Sequence, residues 1–311
     1  MGTHVWAVAG GKGGAGRTTT AINVGTVLTA EGYDTVVVDA ALAMANVGGM
    51  LSIDSDTTLH DVLAGEAIVS EALTRTEEGL WVVPGDRSIE SYGEADPSEF
   101  GGVIDALGGE FDVVLVDTSA AITHETVVPL GLADATLLVS PPTGVAVQDT
   151  RKIARLVERV DGSVMGAALT RVKDRTDVGP ARERLNAPVL GIVPEHPGSV
   201  PEQPLALTVA SSPAAQAYRG LTRALIRTRL DGEDPRAVET VVEDAWFQAD
   251  GRAVESTVAG DGGNEADDAA DPAGEDAPAG AGGPGGGNDE PEPDSGAADD
   301  SEDDDNDGLL L

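Results

Sequence analysis

Short apolar, β-branched runs alternate along the chain with longer segments whose apolar residues recur every three to four positions. Runs of the first kind are strands buried on both faces of a parallel sheet, and segments of the second kind are the crossover helices that cover it. The pattern predicts strands over residues 4–9, 35–39, 80–84, 112–117, 135–140, 163–170 and 189–193, and helices over 17–31, 97–108, 145–160, 180–185 and 213–230. The expected fold class is α/β, with a mostly parallel central sheet and helices on both faces in three layers. No internal repeat is visible.

The periodicity weakens after residue 230. Val238, Val241, Val242, Ala245 and Trp246 still recur at helical spacing, so residues 234–250 are expected to add one more helix. From about residue 259 the chain is Gly, Ala, Pro, Asp and Glu with almost nothing to bury, too little to offset the entropy of ordering. The expected organisation is one nucleotide-binding domain over 1–230, a short helical extension over 231–257 and an acidic, unstructured tail over 258–311.

Charge sharpens that division. The 311 residues carry a formal net charge of −36, and half of it falls in residues 258–311, which hold no Lys, Arg or His. The remainder is also acidic and contains only three lysines, Lys12, Lys152 and Lys173. Such a surface fits a protein kept soluble at high salt, where repulsion is screened, and points to the cytoplasm of a halophile. It argues against broad binding to nucleic acid or anionic membranes. With no cysteine, disulfides, Cys-ligated zinc and iron–sulfur clusters are excluded. Neither a secretory signal nor a run approaching the ~18 apolar residues of a membrane span is present in the sequence.

The strongest chemical signal is Gly10-Gly11-Lys12-Gly13-Gly14-Ala15-Gly16-Arg17-Thr18-Thr19, placed directly after a predicted strand and before a predicted helix. Glycines in that position let successive backbone N–H groups turn toward phosphates, and the helix adds its positive N-terminal end. The Thr18 hydroxyl is a candidate ligand for Mg²⁺. The P-loop pattern G-x-x-x-x-G-K-[ST] has its lysine replaced here by Arg17, whose guanidinium is broader and planar.

These residues resemble the MinD/ParA family of deviant Walker A P-loop ATPases, whose loop reads K-G-G-x-G-K-T-[TS]. Lys12 matches the family's signature lysine, which reaches across an ATP-bound dimer to the partner's phosphates. Val36-Val37-Val38-Asp39 followed by Ala45-Asn46-Val47 resembles the switch I strand, residues 58–65 and 80–85 resemble segments of archaeal MinD-like proteins, and residues 111–117 resemble the Walker B strand. The resemblance continues through residues 133–140 and 191–195 and covers roughly residues 3–230. It implies nucleotide contacts from Gly11 to Thr19, base contacts at Arg171 and Pro194, Mg²⁺ held by Thr18, Asp39 and Asp117, and catalytic parts for Lys12 and Asp39. It also implies ATP and Mg²⁺ as cofactors, an ATP-dependent homodimer, and a protein partner or cargo adaptor.

Three positions depart from the family. Switch I usually reads D-x-D, its second Asp orienting the attacking water, and here reads Asp39-Ala40-Ala41. The turn after Walker B usually reads D-[ST]-P-A-G and here reads Asp117-Thr118-Ser119-Ala120-Ala121. With Arg17, these changes point to weakened hydrolysis, or to a scaffold that has lost turnover, unless Asp39 takes over the water. The expected role is a dimeric switch in positioning a division site, motility machinery or a chromosome.

Other constellations have plainer readings. Arg219, Arg223 and Arg227 share a face of the last helix, as a small DNA- or partner-contacting strip or as a face paired with carboxylates; the net charge favours pairing. His4, His60, His124 and His196 lie at no metal-ligand spacing and are expected in solvated or capping roles. Bacterial MinD proteins typically end in a basic amphipathic helix, whereas residues 301–311 are acidic with three terminal leucines, so membrane binding by that device is not expected. DNA binding is expected to be weak or absent.

Overall fold

The computed structural model describes residues 2–196, 203–239 and 241–242. β1 (His4–Ala9) passes through a glycine loop into α1 (Arg17–Ala30), which returns the chain to β2 (Thr35–Ala40). A 3-10 turn (Leu42–Met44) and three short helices, α2 (Val47–Met50), α3 (Leu59–Leu63) and α4 (Val69–Ala72), lead to the edge pair β3 (Thr74–Arg75) and β4 (Trp81–Val83). There follow α5 (Ile89–Glu94), α6 (Phe100–Leu107), β5 (Val113–Thr118), α7 (His124–Leu132) and β6 (Ala135–Ser140). The rest comprises α8 (Gly144–Arg159), β7 (Val164–Val172), α9 (Gly179–Leu185), β8 (Val189–Pro194), α10 (Leu205–Thr208) and α11 (Pro213–Arg229).

The strands form one sheet in the order β3-β4-β2-β5-β1-β6-β7-β8, parallel throughout except for the β3–β4 pair. Alternating side chains feed two cores. Val5, Ala7 and Ala9 of β1 face Phe100, Leu130, Ile153 and Leu185, while Trp6 and Val8 face Ile22, Leu28, Tyr218 and Leu225. Both faces of the sheet are thus covered by helices, as a parallel sheet requires. The chain leaves β1 for β2 on one side and reaches β6 on the other, so the crevice beyond the carboxyl end of β1 is the topological switch point where α/β sheets bind ligands.

All seven predicted strands are present. The eighth, β3, has two residues, too few to show an alternation in sequence. α7 was not expected because Pro129 stands inside it, and the segment predicted as one helix over 97–108 divides into a 3-10 turn (Pro97–Glu99) and α6.

The ordered packing continues past the predicted domain edge at residue 230. Residues 235–239 and 241–242 are helical; residues 243–250 of the predicted helix, and the predicted tail, lie outside the described residues. Val238 is 1% exposed within the second core. Beside it the buried Glu239 Oε1 accepts hydrogen bonds from Arg182 Nε and from the Val189 N–H, both at 2.9 Å. Removing that acceptor strands the buried Val189 amide, a loss of about 1–3 kcal/mol. Glu239→Ala should therefore lower the urea midpoint with little change in the slope of the transition, and an unchanged midpoint would mean that the extension contributes nothing to the fold.

Candidate functional site

The loop between β1 and α1 is shaped by close backbone approach. A Cβ at Gly10 would overlap the Val139 carbonyl oxygen, and one at Gly11 would overlap the backbone of Asp149. Gly14 and Gly16 have φ of +71° and +91°, a region that side chains disfavour, and Gly16 in that conformation opens α1. Distant residues hold the loop in place. Thr170 Oγ1 donates to the Ala15 carbonyl at 2.6 Å, and the Gly11 N–H lies 3.4 Å from Thr150 Oγ1. Gly13 has open space around it, Lys12 is exposed at the tip, and the half-buried Thr19 accepts from Asn23 Nδ2 through its carbonyl at 2.8 Å.

Arg17 does not reach outward. Its Nη1 donates to the Gly10 carbonyl at 2.6 Å, closing the guanidinium back across the loop, and its Nε is buried without a partner. Burial lowers its pKa, and the charge of Asp117 partly offsets that.

The parallel register of β2 and β5 sets Asp39 directly beside Asp117. Both are 0% exposed. Asp117 Oδ2 accepts from Thr18 Oγ1 at 2.6 Å, and Asp39 Oδ2 accepts from the N–H groups of Asn46 and Val47, each at 2.8 Å. The Oδ1 atom of each carboxylate is buried with no partner. An unpartnered carboxylate oxygen on each of two neighbouring aspartates, with the Thr18 hydroxyl on Asp117, makes a hard all-oxygen donor set that fits Mg²⁺. No cluster of three or more His, Cys, Asp or Glu suited to a metal occurs among the described residues.

Arg171 is the penultimate residue of β7 and Pro194 ends the neighbouring β8, in register with Val172. Arg171 is exposed at φ +53°, and its guanidinium lies beside Gly14, 3.8 Å from where a Cβ would stand. The structure thus gathers residues 10–19, Asp39, Asp117 and Arg171 on the carboxyl side of the sheet. Ala41 is buried behind Asp39, and Ser119 Oγ is paired with Thr126 Oγ1 at 2.9 Å.

His60 corrects the expectation of a solvated or capping histidine: it is 1% exposed. Its Nδ1 accepts from the Asp86 N–H at 3.0 Å, which leaves the proton on Nε2 to donate to the Leu42 carbonyl at 3.1 Å. Burial lowers its pKa, keeping it neutral. Arg87 clamps the same loop through Nε to the Ala45 carbonyl at 3.3 Å and through Nη2 to Asn46 Oδ1. His60 lies in the family-like segment 58–65, but its role was not marked, and no sequence signal marked Arg87, Thr150 or Thr170, because each acts on a loop that is distant along the chain. Three of the four arginines on α11 are engaged internally: Arg219 with the Ala206 and Ala210 carbonyls, Arg223 with Glu31 and Arg227 with Glu233; the Nε of Arg229 is buried without a partner.

Residues 6–203 match the CobQ/CobB/MinD/ParA nucleotide binding domain family. The chain belongs to this family. It is 31% identical over 244 residues to an uncharacterised ATP-binding protein of Methanocaldococcus jannaschii, a match covering 76% of this chain and 92% of that one. The chromosome partitioning protein ParA of Caulobacter vibrioides is 35% identical over 174 residues, covering 52% of this chain and 64% of that protein. In structure the chain is similar to the septum site-determining protein MinD of Pyrococcus horikoshii, complexed with Mg-ADP, with a TM-score of 0.69, 29% identity and coverage of 74% and 98%. Among the described residues, no helix of this family member is long and apolar enough to cross a membrane.

Burial, with the neighbouring Asp39 charge second, pushes the Asp117 carboxyl up to about 7; burial likewise pushes Asp39 up to about 6, against the pull of the Val47 and Asn46 amides. Both groups therefore hold protons more tightly in the folded chain than in the unfolded one. Their contribution to stability is present at low pH and is lost as pH rises through about 6 and about 7. In EDTA and without nucleotide, the melting temperature should fall from about pH 5 to about pH 8, and Asp117→Asn should flatten that fall. An unchanged slope in the variant would assign the effect to surface charge instead.

Proposed function

We propose that this chain is an ATP- and Mg²⁺-binding switch that pairs with a second copy of itself across the phosphate loops and recruits a protein partner or cargo adaptor. Its task is to place a division site, a motility apparatus or a chromosome. The observation that carries the reading is Thr18 hydrogen-bonded to Asp117, with Asp39 in register beside it, at the foot of a glycine loop that opens a helix. Relatives named for septum placement and chromosome partitioning, one of them complexed with Mg-ADP, support it.

In this reading the backbone N–H groups of residues 11–19 cradle the phosphates, and Arg171 and Pro194 flank the base. Thr18, Asp117 and Asp39 would hold Mg²⁺, which would supply positive charge against the phosphates. Lys12, exposed and without an ion pair among the described residues, serves the partner's nucleotide across the dimer. Exposed Met44 and Ile122 follow β2 and β5 at the same end of the sheet, an apolar surface for a second copy.

Hydrolysis is slow in this reading because Ala41 puts a methyl where the family has a water-orienting carboxylate. Asp39 is a poor substitute, since one of its oxygens is tied to two amides. A non-hydrolysing scaffold is the second reading, favoured by the commitment of the Arg17 guanidinium to the Gly10 carbonyl.

Two measurements separate these readings. In titrations with Mg-ATP the native protein should bind but turn over slowly, while the Ala41→Asp, Arg17→Lys double variant gains about tenfold or more in rate. Binding with no gain in the variant would favour the scaffold, and absence of nucleotide binding would overturn the switch. By light scattering, Lys12→Ala should abolish an ATP-dependent dimer while leaving nucleotide binding by the monomer within about threefold; a dimer that persists would remove Lys12 from the interface.

A further inference from the structure

Positive charge is unevenly placed in this acidic chain. Residues 151–184 contain nine of the 19 Lys and Arg residues and only five Asp and Glu, a local net charge of +4 within a chain of −36. Much of it lies on α8. Val145, Gln148, Lys152, Arg155 and Arg159 follow one another at three- and four-residue steps and share the outward face of that helix, with Arg151 on its flank. Arg184 of α9 extends the stripe at the head of the helix, its Nη1 lying 3.7 Å from where a Cβ at Gly144 would stand.

These cations are not consumed by the fold. Lys152 pairs with Asp149 at 2.8 Å, but Arg151, Arg155, Arg159 and Arg184 are exposed and make no hydrogen bond or ion pair among the described residues. The contrast with α11 is instructive, because there Arg219, Arg223 and Arg227 each have a partner. With 55 carboxylates in the chain, four arginines left unneutralised on one flank are a local concentration of positive charge.

We propose that the outer face of α8, headed by Val145 and continued by Lys152, Arg155 and Arg159, docks an acidic amphipathic segment of a partner protein. The stripe from 145 to 159 runs about 21 Å, four helical turns, which matches a partner helix. Guanidinium forks suit carboxylates at helical spacing, and Val145, 64% exposed, offers an apolar contact at one end. Nucleic acid fits less well. Asp149, Glu158 and Asp161 interrupt the stripe, which a continuous row of phosphates would meet and a helix with a few spaced carboxylates would not. A partner on this face would also sit one helix width from the phosphate loop, because the inner side of α8 meets Gly11 at Thr150.

The test uses the full chain and a fluorescein-labelled helical peptide about four turns long, with glutamates on one face bordered by leucines, read by anisotropy at low and at molar KCl. Binding at low salt that weakens about tenfold or more in the Arg155→Glu, Arg159→Glu variant is expected, a difference of about 1.4 kcal/mol. Arg155→Ala, Arg159→Ala should lose less, and Arg223→Glu on α11 should bind as the native chain does. Circular dichroism melts confirm that each variant is folded. Absence of peptide binding, or binding indifferent to the charge reversal, would overturn the proposal. So would binding of a short duplex DNA, or of phosphatidylglycerol vesicles, through Arg155 and Arg159 in place of the peptide.

Discussion

Two aspartates buried side by side impose the condition that the loops around them must meet. Asp39 and Asp117 face each other across adjacent parallel strands, where desolvation and mutual repulsion both oppose ionisation. Each oxygen that is satisfied is satisfied by a segment that must then stay in place. Thr18 brings the first turn of α1 to Asp117, and the amides of Asn46 and Val47 bring the start of α2 to Asp39. The phosphate loop and the segment after β2 are therefore fastened to the same buried pair from opposite sides. The two remaining oxygens are left for a cation, whose charge would relieve the repulsion that the protein alone only partly offsets.

The segment after β2 is held at three further points. His60 binds the Leu42 carbonyl and the Asp86 amide with the two nitrogens of one neutral ring, and Arg87 reaches the Ala45 carbonyl and Asn46. Because α3 supplies His60 and the chain after β4 supplies Asp86 and Arg87, a change in that segment is transmitted to both. A loop so fastened has few arrangements available to it. Ala41, buried just after β2, adds no polar group to this loop.

Particular elements show how much was legible along the chain. The seven strands were readable because burial on both faces demands continuous β-branched runs, and α8 and α11 because each shows an apolar stripe against a polar face; α1, buried continuously from Thr20 to Leu28, shows no such stripe. β3 was not, since two residues cannot display a period. α7 was obscured by Pro129, whose missing N–H the helix tolerates in its packed setting. The packing of Val238 and Glu239 was hidden because the acceptor role of Glu239 depends on Arg182 and Val189, roughly fifty residues earlier.

The sequence by itself determined the parallel α/β architecture, the phosphate loop with Thr18, the two strand-end aspartates and the uneven charge, because each is written in local spacing or composition. Only the tertiary structure decided which oxygens those aspartates spend, that Arg17 folds onto Gly10, that His60 is buried, and which arginines have partners. The physical reason is that hydrogen bonds and desolvation depend on distance in space. Thr150 and Thr170 reach the phosphate loop from more than a hundred residues away, a relation that no local pattern encodes.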